Sequence, residues 1–216
     1  KNHYRNGHSH KKLEQIYRGM NSRYAVFWEP NNTLNDRINF YKEFFIKMNI
    51  NSKYLNHPPH LSIYVFESND RYKNKIKNSF SEIGDISINT IKIKNWKIFH
   101  NDPLTKLNTL CIELELTKEL AETQIKIAEA LSPYKIISNS MKFDKIMDIS
   151  YKKWGFPFVG SHWIPHLTIG SLSIIPEKIK KIISNFELVN EGFKIKELSL
   201  YKIDGDNHIF LKKIIL

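Results

Sequence analysis

Two periodicities alternate along the chain. An apolar run over 24–28 ends at Pro30 and reads as a strand, and Leu34, Ile38, Tyr41, Phe45 and Met48 then recur at helical spacing. The second pattern predicts an amphipathic helix over 33–48, with Thr33 as its N-cap. A strand is expected over 60–66, a helix over 69–83 on Ile76, Phe80 and Ile83 with Gly84 as its stop, and strands over 86–93 and 96–99. The same order then restarts. Leu110, Ile112, Leu114 and Leu116 alternate with Thr109, Cys111, Glu113 and Glu115, predicting a strand with one apolar face, and Thr117 opens a helix through Leu131. A strand from His166, a helix on Ile179, Ile182, Ile183 and Phe186, and strands over 193–203 and 208–215 close the chain.

Each half therefore reads strand, helix, strand, helix, strand, strand. This predicts an α+β class: a bilobal protein whose two pseudo-symmetric lobes each carry a mainly antiparallel sheet and two helices around a central cleft. The expected organisation is a polar, basic extension over 1–22, with His3, His8 and His10, followed by one bilobal domain over 23–216 with halves at about 23–106 and 107–216. A short helix near Leu13 to Tyr17 is the most structure the extension is expected to hold. Thr117 follows Thr33 by 84 positions but His166 follows His60 by 106, which places about 22 extra residues between the second half's first helix and its motif strand. This insertion falls within 134–161 and carries Lys142, Lys145, Lys152, Lys153, Trp154, Phe156 and Phe158. It reads either as a functional loop or as a loop packed on its own aromatics.

Composition narrows the picture only modestly. A chain of 216 residues, 41% hydrophobic and 25% charged, can bury a full core. A formal net charge of +11 suggests an anionic partner. Only five of the 33 basic residues are arginines, however, and a surplus of Lys, Ile and Asn is also what an AT-rich genome writes. The lone Cys111 excludes an internal disulfide and a cysteine-built metal cluster, and makes a reducing compartment the default. No apolar run approaches the ~20 residues of a bilayer span. A cytoplasmic monomer without an obligatory protein partner is the expectation.

The chemistry sits in a repeated stretch. Pro59-His60-Leu61-Ser62-Ile63 returns as Pro165-His166-Leu167-Thr168-Ile169. Side chains alternate along a strand, so His60, Ser62 and Tyr64 are expected on one face, and His166 and Thr168 on the corresponding face of the second copy. Across a pseudo-two-fold axis those faces would confront one another. An imidazole has an ordinary pKa of about 6.5, so two of them can divide the roles of base and acid while the hydroxyls donate to phosphate oxygens. That set suits phosphodiester chemistry, which needs a proton removed, a proton delivered and charge stabilised between them, without requiring a metal or other cofactor.

The two His-x-Ser/Thr motifs resemble the signature of the 2H phosphoesterase superfamily, in particular its 2′-5′ RNA ligase-like and cyclic phosphodiesterase branch. The element order resembles that family over most of 23–216, and the hairpin of Leu198-Ser199-Leu200-Tyr201 with 208–215 resembles its last one. The resemblance implies a bilobal α+β fold and metal-independent action on 2′,3′-cyclic phosphates or 2′-5′ linkages at an RNA end or in a nucleotide. It implies His60 and His166 as the acid/base pair and Ser62 and Thr168 as phosphate-oxygen binders. Near-symmetric halves assign the pair no polarity, with a slight lean toward His166 activating water and His60 donating the proton.

Two other readings compete. His57 with His60 and His162 with His166 could complete a four-imidazole zinc site, although Pro58, Pro59 and Pro165 break the spacing that would bring such pairs together. A non-catalytic RNA- or nucleotide-binding module would keep the cleft without needing a matched acid and base. Tyr64, Trp154, Trp163 and Tyr201 are candidates to stack on a nucleobase, His57 and His162 to flank the cleft, and Lys152 and Lys153 to meet flanking phosphates.

Overall fold

The computed structural model describes residues 21–216 except 85, 87, 89, 139–143, 189–191 and 206. The expected extension, apart from Asn21 and Ser22, lies outside the described residues, as do the short helix near Leu13, the three early histidines and Lys142.

The first strand, β1 (Asn21–Trp28), leads into helix α1 (Asn32–Lys47), whose cap is Asn31 rather than Thr33: the Asn31 Oδ1 accepts from the Leu34 amide at 3.1 Å. The expected stripe is buried, with Leu34, Ile38, Tyr41 and Phe45 each at most 2% exposed. A two-residue strand, β2 (Ser52–Lys53), precedes the first motif strand β3 (Leu61–Asn69). Helix α2 (Lys73–Ser81) is shorter than expected, because Asn69 caps a separate 3-10 turn at Asp70–Tyr72. The two strands expected over 86–99 are one, β4 (Ile91–Phe99), with a register irregularity between Ile93 and Asn95.

In the second half, β5 (Asn108–Leu114) is buried on both faces rather than one. It lies between β4 and the second motif strand β6 (His166–Leu172). Helix α3 (Lys118–Leu131) is capped by Thr117 as expected. The insertion is no bare loop: it holds helix α4 (Lys145–Trp154), capped by Asp144 and ended by Gly155 at φ 73°. Helix α5 (Pro176–Ile183) and strands β7 (Gly192–Phe193), β8 (Glu197–Asp204) and β9 (Asn207–Ile215) complete the chain, with Lys194 to Lys196 separating what was expected to be one strand.

The strands form the order β7-β4-β5-β6-β3-β1-β8-β9, with β2 paired to β6, and every pairing is antiparallel. Two lobes meet where β3 touches β6, through the single pair Leu61 and Leu167. The strand order does not divide at residue 106. The closing hairpin β8-β9 returns to β1, so the His60 lobe takes strands from both ends of the chain. The helices cross as well: α1, which follows β1, packs on β6, and α3, which follows β5, packs on β3. Each motif strand is therefore covered by the helix from the other half.

Candidate active site

His60 immediately precedes β3 and His166 opens β6, and both are half-buried. The local chain treats them identically. The Nδ1 of His60 is 2.7 Å from the Pro58 carbonyl, and that of His166 is 2.7 Å from the Ile164 carbonyl. A carbonyl only accepts, so each Nδ1 carries a proton and each Nε2 is left for chemistry. Aromatic rings fix both imidazoles. Phe27 stacks on His60 at 4.0 Å between centroids, and Phe99 meets His166 edge-on at 5.1 Å.

The pair Leu61 and Leu167 sets the relation between the motifs. His60 and Ser62 flank one member of this pair on its strand, and His166 and Thr168 flank the other. The four side chains thus share the face opposite the buried Leu61 and Leu167, and Ser62 and Thr168 are half-buried there.

Both motif strands break their alternation at the next residue. Between β1 and β3 the pairing jumps from Phe27 with Ser62 to Val26 with Tyr64, and between β5 and β6 from Cys111 with Thr168 to Leu110 with Gly170. Ile63 and Ile169 are the extra residues of two matching β-bulges, a device that ends regular alternation and re-aims the side chains beside it. Tyr64 consequently leaves the His60 face. It is fully buried, stacks on Phe66 at 5.1 Å and donates from its hydroxyl to the Trp154 carbonyl. Gly170 occupies the matching place in β6, where a Cβ would come within 2.5 Å of the Leu55 side chain.

The bulge carbonyls receive donors from the crossing helices. Gln124 of α3 donates from Nε2 to the Ile63 and Phe158 carbonyls at 3.0 Å each, and its Oε1 accepts from the Gly160 amide at 2.9 Å. Lys42 of α1 donates from Nζ to the Tyr54 carbonyl at 2.8 Å and to the Ile169 carbonyl at 2.9 Å.

Electrostatics separates the two histidines that geometry makes alike. Desolvation pushes the His60 imidazole down to about 3, with the charges of His208, Lys42 and His57 acting in the same direction, against the Pro58 carbonyl. Desolvation also lowers His166, but the Ile164 carbonyl, Asp102 and Glu113 oppose it. Glu113 is the cross-strand partner of His166 on β5 and is held by Lys94 at 2.7 Å and Lys97 at 3.6 Å.

Among the other expected site residues, Tyr201 and His57 stand near His60. Tyr201 on β8 is half-buried, lies 5.4 Å from Phe27 and donates from its hydroxyl to Glu29 Oε1 at 2.7 Å. His57 lies 5.2 Å from His208, which in turn lies 5.1 Å from His60. Trp154 and Trp163 are 8% and 5% exposed and belong to the core, so neither is placed as a stacking surface. Lys152 is exposed and paired with Asp148 at 2.6 Å, Lys153 lies 4.3 Å over the Trp154 ring, and His162 ends the 3-10 turn Gly160–His162. The insertion thus packs: its carbonyls at Trp154 and Phe158 serve Tyr64 and Gln124. Among the described residues, no three His, Cys, Asp or Glu side chains are grouped to hold a metal ion, so the four-imidazole arrangement does not assemble.

Sequence reasoning missed His208, Phe27, Lys42 and Gln124. Only His208 carried a usable signal, since Ile203 pairs with His208 and Tyr201 with Phe210 in the expected closing hairpin.

The profile of the 2′-5′ RNA ligase superfamily matches residues 33–207, and the chain belongs to that family of 2H phosphoesterases. Phosphodiesterase-type chemistry is the general activity that membership supports. Among solved structures, TT0787 of Thermus thermophilus superposes with a TM-score of 0.59 at 8% identity, covering 90% of this chain and 97% of that one. Escherichia coli LigT complexed with NADP+ gives 0.54 at 10% identity, over 91% and 98% of the two chains. LigT complexed with 3′-AMP gives 0.51 at 10%, again over 91% and 98%. At such identities the likeness establishes a shared two-lobed fold. No curated protein sequence matches the chain. Among the described residues, no helix is long and apolar enough to cross a membrane.

Proposed function

We propose that this protein is a metal-independent phosphodiesterase acting on 2′,3′-cyclic phosphate or 2′-5′-linked RNA and nucleotide substrates. The observation that carries this reading is the pairing of Leu61 with Leu167, which brings the two motif strands side by side at the junction of the lobes, with a His-hydroxyl pair flanking each leucine in sequence. A phosphoryl group bound there has an imidazole Nε2 on either side and the Ser62 and Thr168 hydroxyls as donors to its non-bridging oxygens. Nucleotide recognition is supported by the ligands of the LigT structures, among them 3′-AMP and NADP+.

In the hydrolytic direction His60 serves as base and His166 as acid, the reverse of the lean taken from sequence. The neighbours support this polarity: basic groups surround His60 and favour its neutral form, whereas Asp102 and Glu113 favour a proton on His166. In the reaction His60 Nε2 takes a proton from the attacking water as its oxygen bonds to phosphorus. His166 delivers a proton to the departing ribose oxygen as the P–O bond breaks, leaving a phosphomonoester.

The pH dependence tests this division. Protonation of His60 removes the base on the acid side, and deprotonation of His166 removes the acid on the alkaline side. Both imidazoles lie below their ordinary value, so kcat/KM should trace a bell with its maximum below pH 6.5. Initial rates with a cyclic nucleotide from pH 2 to 9, a range that reaches the His60 limb, measure it, and a profile without a fall on both sides counts against the paired mechanism.

A further inference from the structure

The two lobes place a carboxylate at the same point beside each motif but answer it differently. Phe27 pairs with Ser62 and Cys111 with Thr168, and Glu29 and Glu113 stand two positions after those partners. Glu29 accepts from two neutral hydroxyls, those of Ser199 at 3.2 Å and Tyr201 at 2.7 Å. Glu113 instead meets two ammonium groups, Lys94 at 2.7 Å and Lys97 at 3.6 Å. One carboxylate and two cations leave this cluster with a surplus of positive charge, directly beside His166, the cross-strand partner of Glu113. In the other lobe Lys213 pairs one to one with Glu197 at 2.7 Å, so its charge is matched.

Register puts that surplus on the reacting face. Lys97 pairs with Cys111 and Cys111 with Thr168, and directly opposite residues of an antiparallel sheet share a side. Thr168, Cys111 and Lys97 therefore form one row across β6, β5 and β4. The backbones at its two ends are separated by two strand spacings, ~10 Å. Phe99, two positions beyond Lys97 on the same side of β4, reaches the His166 ring at 5.1 Å, so side chains of β4 do span this gap. Both lysine side chains stay accessible, Lys97 at 38% and Lys94 at 54% exposed, while that of Glu113 is 10% exposed. The carboxylate anchors the cations without covering them.

We infer that Lys97 and Lys94 form a subsite for the phosphate on the 5′ oxygen of the nucleotide that carries the cyclic phosphate, which makes an RNA end a better substrate than a lone cyclic nucleoside phosphate. The inference rests on the acid role of His166 proposed above. In-line displacement puts the departing ribose oxygen, and the nucleotide it belongs to, on the side of the group that protonates it. With His166 as the acid, that nucleotide lies over the His166 lobe, and its 5′ phosphate is the next anion along the row toward Lys97. Lysine binds phosphate as a point charge without demanding a fixed geometry. That suits a group that ends a mononucleotide but continues into a chain in RNA.

Three substrates read the subsite: a nucleoside 2′,3′-cyclic phosphate with a free 5′ hydroxyl, the same compound with a 5′ phosphate, and a dinucleotide ending in the same cyclic phosphate. In the unmodified chain the 5′ phosphate and the dinucleotide should each raise kcat/KM about tenfold over the free hydroxyl, mainly through KM, and the gain should shrink as salt is added. In Lys97→Gln, and further in the double variant with Lys94→Gln, that ratio should fall toward one. Taking the ratio within each protein cancels any loss common to the substrates. Lys118→Gln, which removes an exposed lysine paired with Glu122 on α3, should keep the full ratio. Equal kcat/KM for the 5′-hydroxyl and 5′-phosphate compounds in the unmodified chain overturns the inference even if no variant folds. So does a ratio that survives Lys97→Gln or falls equally in Lys118→Gln. A gain confined to the dinucleotide overturns the phosphate subsite, and one confined to the 5′-phosphorylated mononucleotide overturns the preference for an RNA end. The two proposals fail separately. Turnover without a 5′-phosphate gain leaves the reaction and sinks the subsite. A chain that turns over none of the three sinks the reaction, and calorimetry with a nucleoside 3′-phosphate and its 3′,5′-bisphosphate then decides the subsite: tighter binding of the bisphosphate, lost in Lys97→Gln, supports it, and equal binding overturns it.

Discussion

Alanine at His60 or at His166 should lower kcat for hydrolysis of a 2′,3′-cyclic phosphate by about 10²–10⁴-fold, the usual contribution of a positioned acid or base. Each imidazole is half-buried and is braced by one carbonyl and by neighbouring rings rather than bracing the core itself, so both variants should fold. The double variant should lose little beyond the worse single one, because the two groups serve one transition state and their losses do not add. KM should change much less than kcat. A p-nitrophenyl phosphodiester separates the roles, since its leaving group departs without a proton. His166→Ala should recover at least about tenfold on that substrate relative to the cyclic phosphate, while His60→Ala should not. Recovery in His60→Ala instead would exchange the roles of acid and base. Activity within a few-fold of the unmodified chain in either variant would remove that histidine from the mechanism.

Gln124→Leu should be the most damaging single change outside the four motif side chains. Gln124 is fully buried, and its amide serves the carbonyls of Ile63 and Phe158 and the amide of Gly160. A leucine of similar size fills the space and leaves those three backbone groups without this partner. An unsatisfied buried polar group costs ~1–3 kcal/mol, so a total loss of about 3 kcal/mol or more is expected. Urea unfolding should show a lower midpoint at an unchanged slope. The effect should also reach catalysis. The Ile63 bulge directly follows Ser62, and a reacting group displaced by about 1 Å can lose ~10²-fold in rate. Equal stability of Gln124→Leu and the unmodified chain would show that the bulge carbonyl needs no side-chain donor.

The contrast between these two predictions reflects what was legible in the chain. His60, Ser62, His166 and Thr168 announce themselves because a repeated pentapeptide is a local pattern, and strand alternation needs only near neighbours to place them. The stripe of α1 and the cap of α3 were readable for the same reason. Tyr64 was misplaced because alternation was carried through Ile63, and no residue type in Ser62-Ile63-Tyr64 marks a bulge. Gln124 and Lys42 read as ordinary helix positions, since their partners lie 61 and 127 residues away. The crossing of α1 onto β6 and α3 onto β3 is a choice of packing partner, and the periodicity of each helix marks an apolar stripe without naming the strand that covers it. The insertion's helix was hidden behind its Lys and aromatic content, although Asp144 and Gly155 stood ready as its caps.

The central claim is that the paired motifs turn over a phosphodiester without a metal. It is tested most directly by incubating the full chain, in EDTA, with RNA ending in a 2′,3′-cyclic phosphate, 2′-5′-linked oligonucleotides and cyclic dinucleotides, and following the phosphate by ³¹P NMR. Conversion of at least one of them to a phosphomonoester, abolished in His60→Ala and in His166→Ala, is the predicted result. Binding without turnover across the whole panel, or turnover that EDTA abolishes, would contradict it.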